Sequence, residues 1–130
     1  MIKITAHQAS LLYKTLYGEK INQTTLKEIF SEVWSTSDGV HLIHHTVFLR
    51  AARLLISIEN KKPFASHNTQ MGLLLSLSLL SVNGKPVPTS KETIDSILSL
   101  LGERDADKDI SRLADLLSRV ATEETLPAEE

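Results

Sequence analysis

Polar side chains that could do chemistry are concentrated in one short segment, residues 61–70, between two predicted helices. His67 could act there as a general base, and Lys61 and Lys62 could attract a phosphate group. A loop histidine beside a helix start is more often a polar surface or capping residue, and a lysine pair that flanks a proline turn is ordinarily solvated. We therefore interpret these side chains as a polar loop surface.

Other candidate ligands and stacking residues precede this segment. His41, His44 and His45 lie close together, and His41 and His44 could share one helical face as metal ligands. Two or three histidines alone make an incomplete site, so we predict no metal. Trp34 could stack on a nucleotide base, but its place in the apolar stripe 26–34 favours core packing.

Length and composition bound the elements that could position these residues. The chain has 130 residues, of which 42% are apolar and 23% charged, as is typical of one soluble domain. It has no cysteine, so disulfides and cysteine nucleophiles are excluded. The formal charge is -2, and no segment carries the dense positive charge that follows a phosphate backbone. We therefore expect no nucleic-acid partner.

Membrane insertion and export are not predicted either. The longest apolar run, residues 71–82, has about twelve residues, whereas a helix needs roughly twenty to span a bilayer. The N-terminus lacks the continuous apolar stretch of a secretory signal. We expect a cytoplasmic protein without membrane contact.

Apolar residues recur at helical spacing through most of the chain. The predicted helices cover about residues 6–17, 25–36, 47–60 and 68–82, then a fifth from a Thr89 cap to Leu101, and a sixth over 110–120. Three capping boxes are predicted at helix starts: Thr5 with Gln8, Thr25 with Glu28, and Thr89 with Glu92. The pattern predicts an all-α bundle of about six helices around a buried central helix, residues 68–82, which is apolar nearly all round.

Two segments depart from this helical pattern. The Asp-Gly turn at 38–39 could close a small β-hairpin over residues 36–45 as easily as a loop. Residues 122–130 hold four glutamates and little apolar surface. We therefore expect a helical domain over residues 1–121 and a disordered acidic tail over 122–130.

Residues 50–84 resemble the signature region of the Fic and death-on-curing (Doc) family. In that family a helix leads into a loop of the pattern HPFx(D/N)(G/A)NKR, and a buried helix begins inside the motif and ends in Asn-Gly. Pro63, Phe64, Asn68 and the Asn83-Gly84 pair stand here at the family's spacing. The resemblance covers about residues 4–121, and the segment 36–45 corresponds to the family's flap.

The resemblance implies a fold and a reaction. In the family, the N-terminus of the buried helix lies under a nucleotide's phosphates. The motif histidine takes a proton from a target hydroxyl, the acidic position helps to hold magnesium, and the lysine and arginine neutralise the phosphates. The reaction transfers AMP, or in Doc a phosphate, to a protein. A toxin–antitoxin or phage setting is also implied.

This chain departs from the motif at nearly every chemical position. Lys62 stands in place of the histidine, Ser66 of the acid, His67 of Gly or Ala, Thr69 of the lysine and Gln70 of the arginine. A positioned general base is worth about 100- to 10,000-fold in rate, and a protonated lysine cannot supply it. We therefore expect Pro63 to fix the turn, Phe64 to anchor the loop and Asn68 to cap the buried helix.

The primary prediction is a degenerate Fic/Doc-fold protein that lacks the transferase chemistry and acts by binding protein, as a pseudoenzyme or a regulatory, toxin–antitoxin-related partner. The protein that it binds would be an antitoxin-like or a target protein. The motif residues within 62–70, namely Lys62, Pro63, Phe64, Ser66, His67, Asn68, Thr69 and Gln70, would be vestigial, with no catalytic residue, no metal and no cofactor. A weak anion site is left at Asn68, Thr69 and Gln70. The alternative is an active transferase using ATP and magnesium, with His67 as base and Lys62 as phosphate contact.

Overall fold

Six α-helices are present in the part of the chain that the structure describes. This computed structural model describes residues 2–35, 43–102 and 106–121. The helices are α1 (Ala6–Leu16), α2 (Gln23–Ser35), α3 (Ile43–Lys61), α4 (Asn68–Val82), α5 (Lys91–Leu101) and α6 (Ala106–Val120). No strand occurs within those residues, apart from one isolated bridge between Ile21 and Phe64. The predicted all-α class is therefore confirmed.

Most of the predicted hairpin and all of the predicted acidic tail belong to parts of the chain that the structure does not describe. Residues 36–42 of the suggested hairpin and the tail 122–130 lie outside the described residues. The last three residues of the suggested hairpin, 43–45, belong to the first turn of α3. That helix begins four residues earlier than its apolar pattern from Val47 predicts.

The predicted capping boxes hold at one helix and fail at two. Thr5 accepts a hydrogen bond from the Gln8 amide at 3.1 Å, and the Gln8 side chain accepts one from the Thr5 amide at 2.9 Å. At α2 the cap is Asn22, whose side chain accepts from the Thr25 amide at 3.1 Å. At α5 the cap is Ser90 rather than Thr89. Each box failed because another residue that caps well takes the position, Asn22 three residues before Thr25 and Ser90 directly after Thr89.

α3 is the helix against which most others pack. It contacts α2, α4 and α6, and Ala51, Ala52 and Leu55 on it have no exposed surface. α3 and α4 approach closely because Gly72 has no side chain: a Cβ there would lie 2.9 Å from Leu55 Cδ1. Residues 62–67, the motif loop, connect these two helices.

α4 has the predicted bounds, but its burial is one-sided. Six of its residues face the core: Met71, Gly72, Leu75, Ser76, Leu79 and Leu80. On the other side Leu74 is 38% exposed and Val82 is 46% exposed. The helix is thus more open among the described residues than its all-round apolar composition predicts.

None of the helices described here combines the length and the apolar content that a bilayer crossing requires.

Candidate functional site

The candidate site is the motif loop, residues 62–67, together with the first turn of α4. The loop begins and ends with residues in the left-handed backbone region, Lys62 at φ 48° and His67 at φ 60°. Neither residue is glycine, so the surrounding contacts must hold both conformations.

Phe64 and Asn68 hold the loop in place. Phe64 is 3% exposed and stacks on Tyr13, with ring centroids 4.4 Å apart. The Asn68 side chain accepts from the Phe64 amide at 3.0 Å and donates to the Phe64 carbonyl at 2.9 Å. The prediction that Asn68 caps α4 is wrong, because His67 is the N-cap residue and its side chain makes no capping bond. Asn68 ties the loop instead.

The loop is also fastened to the segment between α1 and α2. The Asn22 amide donates to the Pro63 carbonyl at 2.7 Å, and the Ala65 amide donates to the Lys20 carbonyl at 3.0 Å. The Tyr13 hydroxyl accepts from the Ser66 amide at 3.1 Å. These bonds satisfy backbone groups that a loop would otherwise leave to solvent, so they fix the loop's conformation.

Glu19, Ser66 and His67 form a chain of hydrogen bonds at the edge of the loop. The Ser66 hydroxyl donates to the Glu19 carboxylate and lies 2.7 Å from His67 Nδ1. Since its proton goes to Glu19, the hydroxyl oxygen accepts from Nδ1–H. The His67 ring stacks on Tyr17 at 4.0 Å and 10°. The imidazole is thereby oriented, and within the described residues no partner bonds its Nε2.

Glu19 is held ionised by this network. The hydrogen bond from Ser66, then that from Tyr13 and the attraction of His67, lower the pKa of Glu19, while partial desolvation opposes them. The carboxylate lies 3.9 Å from His67 Nδ1. A negative charge is therefore present at the loop near the start of α4.

A second carboxylate contacts the first turn of α4. Thr69 donates to the Glu59 carboxylate at 2.6 Å. Lys62 does not face this turn, because its Nζ donates to the Glu59 carbonyl at 3.1 Å, at the end of α3. Gln70 is exposed. The positions at which the resemblance implies two cations thus hold a hydroxyl bound to a carboxylate and a neutral amide.

The backbone of this turn has the usual free donors. The Met71 amide bonds the His67 carbonyl at 2.9 Å, and helix geometry leaves the amides of residues 68–70 without intrahelical acceptors. The predicted anion site at Asn68, Thr69 and Gln70 therefore has backbone donors. Its Asn68 and Thr69 side chains, however, are already bonded to Phe64 and Glu59.

The remaining candidates lie elsewhere. Lys61 extends toward α2, with its Nζ 3.9 Å from Glu32 Oε2. Trp34 donates its indole N–H to the Ile4 carbonyl at 2.9 Å and packs against the core. His44 and His45 lie in α3 with side chains outside the described part, and His41 is outside it altogether. The searched residues hold no group of three or more metal-type side chains.

Sequence reasoning missed Glu19 and Glu59. Glu59 lies one turn before the motif loop on α3, so its proximity to the loop could have been expected from helical spacing. Glu19 is 47 residues from Ser66. No local pattern indicates that contact, which only the packing of α1 against the loop brings about.

The chain matches no protein-family model, no curated protein and no solved structure.

Proposed function

We propose that this protein has a Fic/Doc-like scaffold that has lost the family's nucleotide-dependent transfer and acts by binding another protein. The observation that carries the proposal is the pair of carboxylates, Glu19 and Glu59, hydrogen-bonded to Ser66 and Thr69 around the start of α4. The resemblance implies that the nucleotide's phosphates would lie at this helix start.

Electrostatics supports the loss of the phosphate site. A nucleotide triphosphate is a polyanion, and sites for it normally present lysine, arginine and magnesium to neutralise it. Here both cationic motif positions are neutral, and Lys62 bonds the carbonyl end of α3 instead. The two carboxylates beside this helix start, Glu19 and Glu59, repel phosphate rather than attract it.

The missing general base supports the same conclusion. Lys62 occupies the histidine position, is exposed, and donates its ammonium protons to a backbone carbonyl. An ammonium group has no lone pair with which to accept a proton from a target hydroxyl. The family reaction would lose about 100- to 10,000-fold from this change alone.

The open side of α4 supports protein binding. A groove of about 410 Å³ lies between α4 and the segment that leads into α5. Its lining is largely apolar and includes Leu73, Leu74, Leu77, Pro86, Val87 and Ile94. α4 carries no charged residue over its whole length. Exposed, uncharged helix surface of this kind is typical of protein contacts.

One observation favours the alternative, an active transferase with an unusual base. The chain from Glu19 through Ser66 to His67 Nδ1 orients the imidazole and leaves Nε2 as the proton-accepting nitrogen. In that alternative His67 would serve as the base and Lys62 as the phosphate contact.

Calorimetric titration with ATP, with and without magnesium, tests the proposal. We expect no saturable binding to the natural chain. Micromolar, magnesium-dependent binding would overturn the proposal and favour the transferase. A transfer of phosphate or AMP to a protein that is lost in His67→Ala would then establish the transferase activity.

A repaired chain serves as the positive control. It carries Lys62→His, Ser66→Asp, His67→Gly, Thr69→Lys and Gln70→Arg. Because the new carboxylate at 66 would face Glu19, it also carries Glu19→Gln. We expect the repaired chain to gain nucleotide binding, since the loop and helix start are otherwise intact. If it stays folded and inert, the alignment of the motif to residues 62–70 is wrong.

A further inference from the structure

A second concave surface lies between α1 and α2, and no residue of the motif loop lines it. This α1–α2 groove has a volume of about 320 Å³. The side chains that give it its character are His7, Leu11 and Lys14 of α1, and Gln23 and Lys27 of α2. No carboxylate is among the residues that line it.

The lysines of the α1–α2 groove are not neutralised. Neither Lys14 nor Lys27 forms an ion pair or hydrogen bond with another of the described residues. The groove's lining holds two lysines and one histidine and no carboxylate, although the whole chain has a charge of -2. Glu28 and Glu32 lie with Lys27 on a neighbouring concave surface and do not line the groove. The groove therefore has an unbalanced positive charge in a protein that is acidic overall.

The spacing of the groove's polar groups favours an extended ligand. His7 and Lys14 are two turns apart on α1, about 10 Å along the helix axis. An extended peptide advances about 3.3 Å per residue, so three residues cover that distance. A single phosphate is too small to contact groups based so far apart.

An apolar residue separates these two polar groups. Leu11 lies between His7 and Lys14 on the same helix face and is 53% exposed. A ligand that covers it gains apolar burial only if it carries an apolar side chain between its acidic ones. This combination is the chemistry of a peptide, not of a small inorganic anion.

The groove's floor is already formed. The Gln23 side-chain amide donates to the Ser10 hydroxyl at 3.0 Å, which links α2 to α1, and Ser10 is only 7% exposed. The two walls of the groove are therefore held together before a ligand binds, so binding costs less conformational entropy of the protein.

We propose that the α1–α2 groove binds a short acidic peptide segment of a partner protein, with carboxylates on Lys14 and Lys27, an apolar side chain on Leu11 and a hydrogen-bond acceptor at His7. This inference rests on the proposed function in that it names a surface and a partner chemistry for protein binding. Nucleotide titration tests the loss of transferase chemistry separately, so either proposal can fail without the other.

Fluorescence anisotropy tests the groove with a labelled peptide of alternating glutamates around a central leucine. We expect saturable binding that weakens as the salt concentration rises. Lys14→Gln combined with Lys27→Gln should weaken binding about fivefold, since each exposed charge pair contributes modestly. Lys14→Arg with Lys27→Arg should keep most of it.

The control variant is Lys20→Gln with Lys91→Gln, which makes the same change in net charge at exposed lysines outside the groove. Binding that falls equally in both double variants, or no binding at all, would overturn the proposal. Two further results would also contradict it: displacement of the peptide by millimolar inorganic phosphate, and binding to anionic phospholipid vesicles but not to the peptide.

Discussion

At the residue scale, Asn68 has the clearest structural task, since its side chain bonds both backbone groups of Phe64. Asn68→Ala should leave an amide and a carbonyl without partners and lower the free energy of unfolding by about 2 kcal/mol. Asn60→Ala is the matched control, because Asn60 is exposed near the end of α3 and should cost under about 0.5 kcal/mol. Urea denaturation measures both. Equal losses would mean that Asn68 does not hold the loop.

A second prediction at the residue scale concerns how the free energy of unfolding changes at acidic pH. Because the folded-state pKa of Glu19 lies below its ordinary value of 4.5, the ionised carboxylate stabilises the fold above that pH, and this contribution is lost as the pH falls through the lowered pKa. Ser66→Ala removes the largest cause of the shift, so the pKa of Glu19 should rise. Titration of the Glu19 carboxyl carbon by NMR measures it, and an unchanged pKa would contradict the hydrogen-bond network.

At the element scale, the helix starts depend on single cap residues. Ser90 accepts from the Thr93 amide at 3.3 Å, whereas no cap bond is formed by Thr89. Ser90→Ala should therefore lower the free energy of unfolding by about 1 kcal/mol, and Thr89→Ala should leave it nearly unchanged. Thermal denaturation of the two variants compares them. The reverse order would restore the capping box that the sequence predicted.

Gly72 in α4 and Gly102 after α5 differ in how much space a side chain would have. At Gly72 a methyl group would lie 2.9 Å from Leu55, which is fully buried, so Gly72→Ala should destabilise the contact between α3 and α4 by about 1 kcal/mol. Among the described residues, a Cβ at Gly102, which follows α5, would come no closer than 3.5 Å, to the Ser99 carbonyl, so Gly102→Ala should be neutral or slightly stabilising. Urea denaturation tests the pair. A stabilised Gly72→Ala variant would show that the two helices can separate at little cost.

The helices of this protein are predicted by its sequence, whereas the contacts of the motif loop are not. Apolar spacing predicts the six helices and the bounds of α4, because that signal is local and repeated along each segment. The burial of Phe64, which its place in the motif loop and not apolar spacing predicts, is confirmed as well. Apolar spacing could not predict the role of Asn68 or the contact of Glu19 with Ser66, since both depend on how α1 and the loop pack together.

At the scale of the whole molecule, charge and apolar surface are unevenly distributed. The start of α4 holds two carboxylates, the α1–α2 groove holds two lysines that have no ion partner among the described residues, and the open side of α4 carries no charge. A nucleotide enzyme would need its positive charge at the start of α4. In this chain two lysines lie in the α1–α2 groove, which no residue from the start of α4 lines, and this distribution is consistent with the proposed loss of the phosphate site.

The most direct test of this account follows the backbone amides of Asn68, Thr69 and Gln70 by NMR while ATP and magnesium are added. These amides are the free backbone donors of the helix start, where the Fic/Doc resemblance implies that phosphates would bind, so a nucleotide bound there must shift their resonances. We predict no saturable shift at millimolar ATP. Saturable, magnesium-dependent shifts of these three amides at micromolar ATP would contradict the loss of the nucleotide site.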